Sequence, residues 1–334
     1  MTSLINSKKT EIKNLLKKYY NFENFRLGQE QAIDNILEKK DTVVVMPTGG
    51  GKSLIFQLPA LVLEGVTIVV SPLIALMKDQ VESLTRLGVP ATFINSSISL
   101  SETNKRLEEI KNGFYKIIYV APERFYSLPF LQSLSEVEIS LFAIDEAHCI
   151  SQWGYDFRPS YLEIIAVREV LPQVPILALT ATATPDVVSD IQNKLGFKVH
   201  NVLQKSFERK NLTYIVKQKE DKLGYILNIC KKIKGAGIVY VKTRKQTKEI
   251  ALALHEMGSY ADFYHDGLDA NTRTVKQDAW MKAPNMVMIS TNAFGMGIDK
   301  PNVRFVVHLD MPESLEAYFQ EAGRAGRDEL EAFA

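Results

Sequence analysis

Three short segments carry residue types whose spacing suits phosphate chemistry. In VVVMPTGGGKSL an apolar run enters a glycine-rich turn that ends in Lys52 and Ser53. Gly49, Gly50 and Gly51, with Thr48 before them, let backbone N–H groups turn inward around a polyphosphate. Lys52 supplies a point charge for the β- and γ-phosphates, and the Ser53 hydroxyl is a ligand for Mg²⁺. The strict pattern has glycine where Met46 stands, and a functionless glycine-rich helix cap is the alternative. In LFAIDEAHCI the apolar residues 141–144 deliver Asp145 and Glu146 at the end of a strand. Asp145 suits a magnesium ion held through its water shell, and Glu146 an attacking water to be oriented or deprotonated. Two adjacent acids are equally a solvated turn when taken alone. Beside a phosphate loop on a neighbouring strand they read as the second half of a nucleoside triphosphate site. In YFQEAGRAGRD, Arg324 and Arg327 follow a helix, and Gly323 and Gly326 allow close backbone approach. Arginine forks onto phosphate oxygens. A second domain closing over the first would bring both side chains to the triphosphate as fingers, worth about 10³–10⁵ in rate. Alone, this segment is a solvated surface turn.

His148 follows the acids. No histidine or cysteine cluster supports a zinc site there, and Cys149 points elsewhere on a regular backbone. A hydrogen-bonding coupler is the better reading. Next come Trp153, Tyr155, Phe157 and Tyr161, with Arg158 among them, in a predicted loop. Bases stack on aromatic faces for about 1–3 kcal/mol each, and arginine adds phosphate contact and cation–π attraction. A hydrophobic minicore is the alternative for these rings.

The elements that must position these groups alternate along the chain. Residues 42–46, 66–70, 92–94, 116–120, 140–144 and 176–179 read as buried strands, with amphipathic helices over 73–87 and 101–111. The pattern lapses in VLQKSFERKN and then restarts: strands over 237–241, 262–264, 286–290 and 304–309, helices over 245–257 and 314–323, the last with Ser314 as N-cap. Two successive α/β units follow, each a mainly parallel sheet flanked by helices, with domains over 1–203 and 214–334 and a linker over 204–213.

Composition narrows the class. With 334 residues the chain is expected to hold about two domains. A net charge of +1 excludes a uniformly basic binder, so any nucleic-acid contact must be a local patch. No apolar run reaches the length of a membrane helix, and no membrane partner is expected. The amino-terminal residues Ile12, Leu15, Leu16 and Tyr19 fall at helical spacing, with lysines on the other face. Two cysteines, Cys149 and Cys230, exclude a disulfide framework and a four-cysteine zinc site and fit a reducing compartment, cytoplasmic or otherwise intracellular.

Together these segments resemble the superfamily 2 helicases, and more closely the RecQ-like DNA helicases, over nearly the whole chain and in the family's order. YNFENFRLGQ resembles the motif before the phosphate loop. The resemblance implies that Phe22 and Arg26 sandwich adenine and that Gln29 hydrogen-bonds its edge. VVSPLIALMKDQ and YVAPER resemble the DNA-contacting motifs that follow, which implies phosphate contacts at Ser71, Arg124 and, in the second unit, Thr291. HCISQWGYDFRPSY is similar to the family's aromatic-rich loop, which implies DNA contact by Trp153, Phe157 and Arg158. It also implies coupling through His148, Gln152 and, in LALTATAT, Thr180 and Thr182. YVKTRKQTKE, FYHDGL, ISTNAFGMGIDKPNVRFVVH and QEAGRAGRD match the remaining motifs, with Asp299 implied at ATP.

The resemblance implies two tandem RecA-like domains, with ATP and Mg²⁺ as cofactors. It implies 3′-to-5′ movement on single-stranded DNA and separation of duplex DNA; protein partners are not indicated. An RNA-directed helicase and an ATP-dependent clamp without turnover share this chemistry. Departures from the family pattern are Phe22 for tyrosine, Asn21 for glycine, Tyr155 for histidine, and Lys242-Thr243 for Asn-Ser. The chain stops shortly after Arg327, so the family's zinc-binding and winged-helix modules have no counterpart in it. A shortened chain, with no zinc, is expected.

Overall fold

The computed structural model describes residues 2–334 except 155, 207, 296, 297 and 299, with the backbone alone for 2–4. The chain divides between residues 206 and 207 into two compact units. In the first, the strands are β1 (Thr42–Val45), β2 (Val66–Val70), β3 (Ala91–Ile94), β4 (Ile117–Val120), β5 (Ile139–Ile144), β6 (Ile176–Thr180) and β7 (Val202–Gln204). Their order is β3-β4-β2-β5-β6-β1-β7, and the described pairings are parallel. β1, β2, β4 and β6 are buried along their whole length. Parallel strands covered on both faces by helices need side chains that are apolar throughout, which is why these runs are legible in the sequence.

The order corrects one expectation. β1, which runs into the glycine-rich turn, and β5, which ends at Asp145, are not neighbours. β6 lies between them and pairs with both. The amino-terminal helix Thr2–Tyr20 lays Ile12 and Leu16 into the core, with Leu15 and Tyr19 packed beside them. It rests against the helix Lys52–Val62, which leaves the glycine-rich turn. Its Lys13, Lys17 and Lys18 face solvent. Among the described residues no helix is long and apolar enough to cross a membrane.

The second unit holds β8 (Leu212–Thr213), β9 (Ala236–Tyr240), β10 (Ala261–Tyr264), β11 (Val287–Ser290), β12 (Val303–His308) and β13 (Ala332–Phe333). Their order is β10-β11-β9-β12-β13-β8, again with parallel pairings. Trp280 is fully buried, edge-on to Phe294, and its Nε1–H donates to the Gly237 carbonyl at 3.3 Å. Thr243 and Gln246 form a reciprocal cap on the helix Arg244–Glu256, so the Lys242-Thr243 departure keeps a competent N-cap. Ser314 caps the helix Leu315–Ala322 as expected.

The stretch over 204–213 is not a free linker at its ends. Gln204 pairs with Val45, and Leu212 pairs with Ala332. β7 buries no side chain fully and β8 only Leu212. Such short outer strands lack the apolar run by which inner strands are recognised; β13 lies between β12 and β8 but, at two residues, is too short to show one.

The amino-terminal helix is part of the core and not an accessory, so Leu16→Ala should cost about 2–5 kcal/mol of stability. Equilibrium chemical denaturation checks this. A loss near zero would show that the helix does not share in the folding of the first unit.

Candidate functional site

The turn after β1 is shaped by Gly49 and Gly51, whose φ angles are 79° and 77°. Gly51 directly precedes the helix Lys52–Val62, and a Cβ there would lie 2.5 Å from Gln29 Nε2. Gln29 is buried. Its Nε2 donates to the Gly51 carbonyl at 2.9 Å, and its Oε1 accepts the Arg26 backbone N–H at 2.8 Å. Arg26 Nη1 donates to the Gly49 carbonyl at 2.5 Å. Two of the three residues that the resemblance places around adenine are thus hydrogen-bonded to the loop expected to hold the phosphates. The third, Phe22, is 46% exposed. Lys52 Nζ donates to the Met46 carbonyl at 3.1 Å. Thr48, Gly50 and Ser53 are half-buried in the same turn and at the helix start. A helix beginning here leaves its first backbone N–H groups without internal partners, a suitable cradle for anions.

The acids stand beyond β6. Burial, and then the Glu146 carboxylate, push Asp145 up to about 7 against the pull of Lys52. Glu146 has φ 49° and ψ 45°, a left-handed conformation that a residue with a Cβ adopts at some cost. The 3-10 turn Ala147–Ile150 follows it. His148 is buried, and its Nδ1 lies 3.0 Å from the Thr180 hydroxyl and 3.4 Å from Glu146 Oε2. The Thr180 hydroxyl donates to the Thr182 carbonyl, so Nδ1 of His148 is the donor toward Thr180. Burial pushes His148 down to about 4, which leaves a neutral imidazole near pH 7.

Cys149 does not point away as a regular backbone would direct it. The 3-10 turn brings its Sγ to 3.8 Å from His148 Nε2. The ligand atoms of His148, Cys149 and Asp156 all lie within 4.8 Å of one another. Arg158 holds the Asp156 carboxylate with hydrogen bonds of 2.9 and 3.1 Å.

The donors after β1 and β5 fit a divalent cation. Two adjacent carboxylates, one held toward its neutral form by burial and then by the other, gain from a positive charge between them and the phosphates. Ser53 lies in the first turn of the helix Lys52–Val62.

The aromatic segment separates by burial. Trp153 is 79% exposed, with Gln152 exposed beside it. Phe157 is half-buried, with Lys194 Nζ 5.9 Å from its ring centre. Tyr161 is fully buried, and its hydroxyl donates to the Asp145 carbonyl at 3.0 Å. It is therefore no stacking platform, and the minicore alternative holds for that ring. Arg158 is drawn inward too, its Nη1 donating to the Pro72 carbonyl at 3.2 Å. Arg124 Nη2 donates to the Asn95 carbonyl at 2.5 Å. The hydroxyls of Ser71 and Thr291 are buried without a hydrogen-bond partner, and Thr182 is also buried. Tyr155 and Asp299 lie outside the described residues.

In the second unit Arg324 is only 5% exposed, and its Nη1 donates to the Gly295 carbonyl. Arg327 is half-buried, with Nη1 donating to the Ile298 carbonyl at 2.9 Å. Arg244 makes a two-pronged pair with Asp266 at 3.0 and 2.7 Å.

Two family models match the chain: the DEAD/DEAH box helicase over residues 26–191 and the helicase conserved C-terminal domain over 218–329. The chain is 48% identical over 320 residues to an ATP-dependent DNA helicase RecQ of Bacillus subtilis, covering 95% of this chain and 54% of that protein. It is 41% identical to the RecQ-like DNA helicase blm-1 of Caenorhabditis elegans, over 97% of this chain and 34% of the relative. Among solved structures it resembles the DUF1998 helicase MrfA bound to DNA, with a TM-score of 0.78 at 18% identity over 97% of this chain and 47% of that one. It also resembles Saccharomyces cerevisiae Dbp5 bound to RNA and ADP BeF3, with a TM-score of 0.70 at 20% identity over 96% of this chain and 85% of that one. The fold is therefore that of a tandem RecA-like helicase core. The chain belongs to the RecQ-like helicases of superfamily 2, and it spans about half the length of the RecQ proteins it matches.

Because the folded chain holds the Asp145 proton more tightly than an unfolded one, the carboxylate imposes a penalty that grows as pH rises from about 4 to about 7. A divalent cation relieves that penalty and must displace the proton below pH 7. The Mg²⁺ concentration giving half-maximal turnover should therefore rise about tenfold between pH 8 and pH 6. Magnesium titrations of turnover across that range check this; a flat requirement would remove Asp145 from the cation site. The exposure difference gives a second test. Trp153→Ala should leave the thermal midpoint unchanged and weaken single-stranded DNA binding about tenfold. Tyr161→Ala should destabilise the first unit by about 3–5 kcal/mol. Calorimetry and DNA titrations separate the two.

Proposed function

We propose that this chain is the motor core of an ATP-dependent DNA helicase that hydrolyses ATP, with Mg²⁺, to move 3′-to-5′ on single-stranded DNA and to separate duplex strands. The observation that carries the proposal is the hydrogen-bonded path Lys52–Met46–Thr180–His148, whose far end brings His148 Nδ1 to 3.4 Å from Glu146 Oε2. It runs from the phosphate-binding lysine to the neighbour of the acid that activates water. Lys52 and the N–H groups of the turn bind the β- and γ-phosphates, and Ser53 and Asp145 hold the cation. Glu146 takes the proton of the attacking water. Neutral His148 donates from Nδ1 to the Thr180 hydroxyl. Phe22 and Arg26 enclose adenine, and Gln29 reports its presence to the loop through Gly51.

Arg327 acts on the charge that spreads over the γ-phosphoryl oxygens in the transition state, and the family resemblance assigns Arg324 and Asp299 to the same nucleotide. Trp153 and Phe157 receive bases, and Ser71, Arg124, Arg158 and Thr291 line the backbone path, as the resemblance implies. Gln152, Thr180 and Thr182 link that path to the acids. Polarity rests on the family resemblance.

Phosphate release by the full chain, with single-stranded DNA, RNA or neither, tests the reading. DNA should stimulate more than RNA. Lys52→Ala should lose both nucleotide binding and turnover, whereas Arg327→Ala should lose mainly turnover, by about 10³-fold or more. Equal stimulation by RNA would redirect the substrate. An unaffected Arg327→Ala would remove the finger. Strand displacement from duplexes with a single 3′ or 5′ tail reads the polarity.

A further inference from the structure

The segment at the start of the second unit holds the turn that carries Arg327. Arg209 lies just past the division between the units. Its guanidinium spans three carbonyls of the turn after the helix Leu315–Ala322. Nη1 donates to Gly323 at 3.4 Å, and Nη2 donates to Ala325 at 3.0 Å and to Gly326 at 2.6 Å. Its Nε donates to Asn211 Oδ1 at 3.3 Å, which orients the amide so that Nδ2 donates to Gly326 at 2.8 Å and to Leu330 at 2.9 Å. The backbone closes the same joint, since the Ala332 N–H donates to the Asn211 carbonyl at 2.9 Å.

Residues 323–326 are buried and have left the hydrogen-bond pattern of the helix. A buried carbonyl left without a donor there would destabilise the turn. Arg209 supplies donors for Gly323 and Ala325, and at Gly326 it and Asn211 add to the Glu329 N–H that this carbonyl already accepts. Gly326 is where they come closest: φ is 63°, and a Cβ would lie 2.6 Å from Asn211 Nδ2. The glycine that the sequence reading took to allow close backbone approach is needed to admit Asn211. The far side of the turn is pinned by Arg304, which donates to Asp328 Oδ1 and to the Pro301 carbonyl.

We propose that Arg209 and Asn211 are positioning residues for Arg327. They fix the backbone from which that side chain projects, and they make the connecting segment and the arginine turn one mechanical piece. The inference rests on the reading of Arg327 as the group that meets transition-state charge. A planar fork is required, because one lysine ammonium cannot span carbonyls spread along a turn.

The test uses the full chain and DNA-stimulated turnover, with KM for ATP and the thermal midpoint measured alongside. Arg209→Gln and Arg209→Lys should each lower kcat about tenfold while KM stays within about twofold. The double variant Arg209→Gln/Arg327→Ala should be no slower than Arg327→Ala alone, because Arg209 acts through Arg327. A purely structural role would multiply the two losses, which overturns the proposal. Full turnover by Arg209→Gln beside an impaired Arg327→Ala overturns it as well. A fully active Arg327→Ala instead strikes the finger reading, and the proposal falls with it. Should Arg209→Gln fail to fold, Asn211→Ser removes the Nδ2 donations and leaves the fork. Its kcat should fall with KM unchanged, again without adding to Arg327→Ala, and full activity there overturns the proposal.

Discussion

The nucleotide end of the first unit depends on how one strand is hydrogen-bonded at its last residue. The Thr180 carbonyl accepts the Met46 N–H at 3.1 Å, and its hydroxyl meets His148 at 3.0 Å and Thr182 at 3.0 Å. A single residue at the end of β6 thereby holds the turn after β1 and the acids after β5 in one frame. Sheet register does the coarse alignment, pairing Val45 with Thr180 on one side and Ile144 with Ala178 on the other. A slip by one residue would send the threonine hydroxyl to the opposite face of the sheet.

Burial gives this frame its stiffness. Water is kept from His148, so its ring stays neutral and its single N–H has one direction to point. The same exclusion raises Asp145 and makes a cation the natural complement of the acid pair. Tyr161 ties the Asp145 carbonyl from below, where Glu146 already occupies a strained backbone conformation. The exposed Trp153 thus lies between the half-buried acids and the buried Tyr161 that is tied back to them.

The second unit solves its local problem with arginines. Past the end of a helix the chain turns through buried carbonyls, and guanidinium groups supply the missing donors. Arg209 serves Gly323, Ala325 and Gly326, and Arg324 serves Gly295. Several cations in this region therefore have a structural partner within their own unit. Phosphate contact is not the sole reason for arginine there.

The inner strands, the glycine-rich turn before Lys52, the acid pair at a strand end and the arginine-bearing turn are all legible in the sequence. Each of these announces itself through neighbouring residues: an apolar run, a glycine triplet, charges placed just past a run. Family resemblance followed from the same local strings. Tertiary structure alone decided that β6 separates the two halves of the site, and that Thr180 joins them. It also decided that Tyr161 is buried while Trp153 is not, that Cys149 turns toward His148, and that Arg209 grips a turn more than a hundred residues away. These are contacts between residues distant in sequence or differences in burial between similar side chains. Local composition carries no trace of either, because both are fixed only when strands take their order in the sheet and loops pack against it.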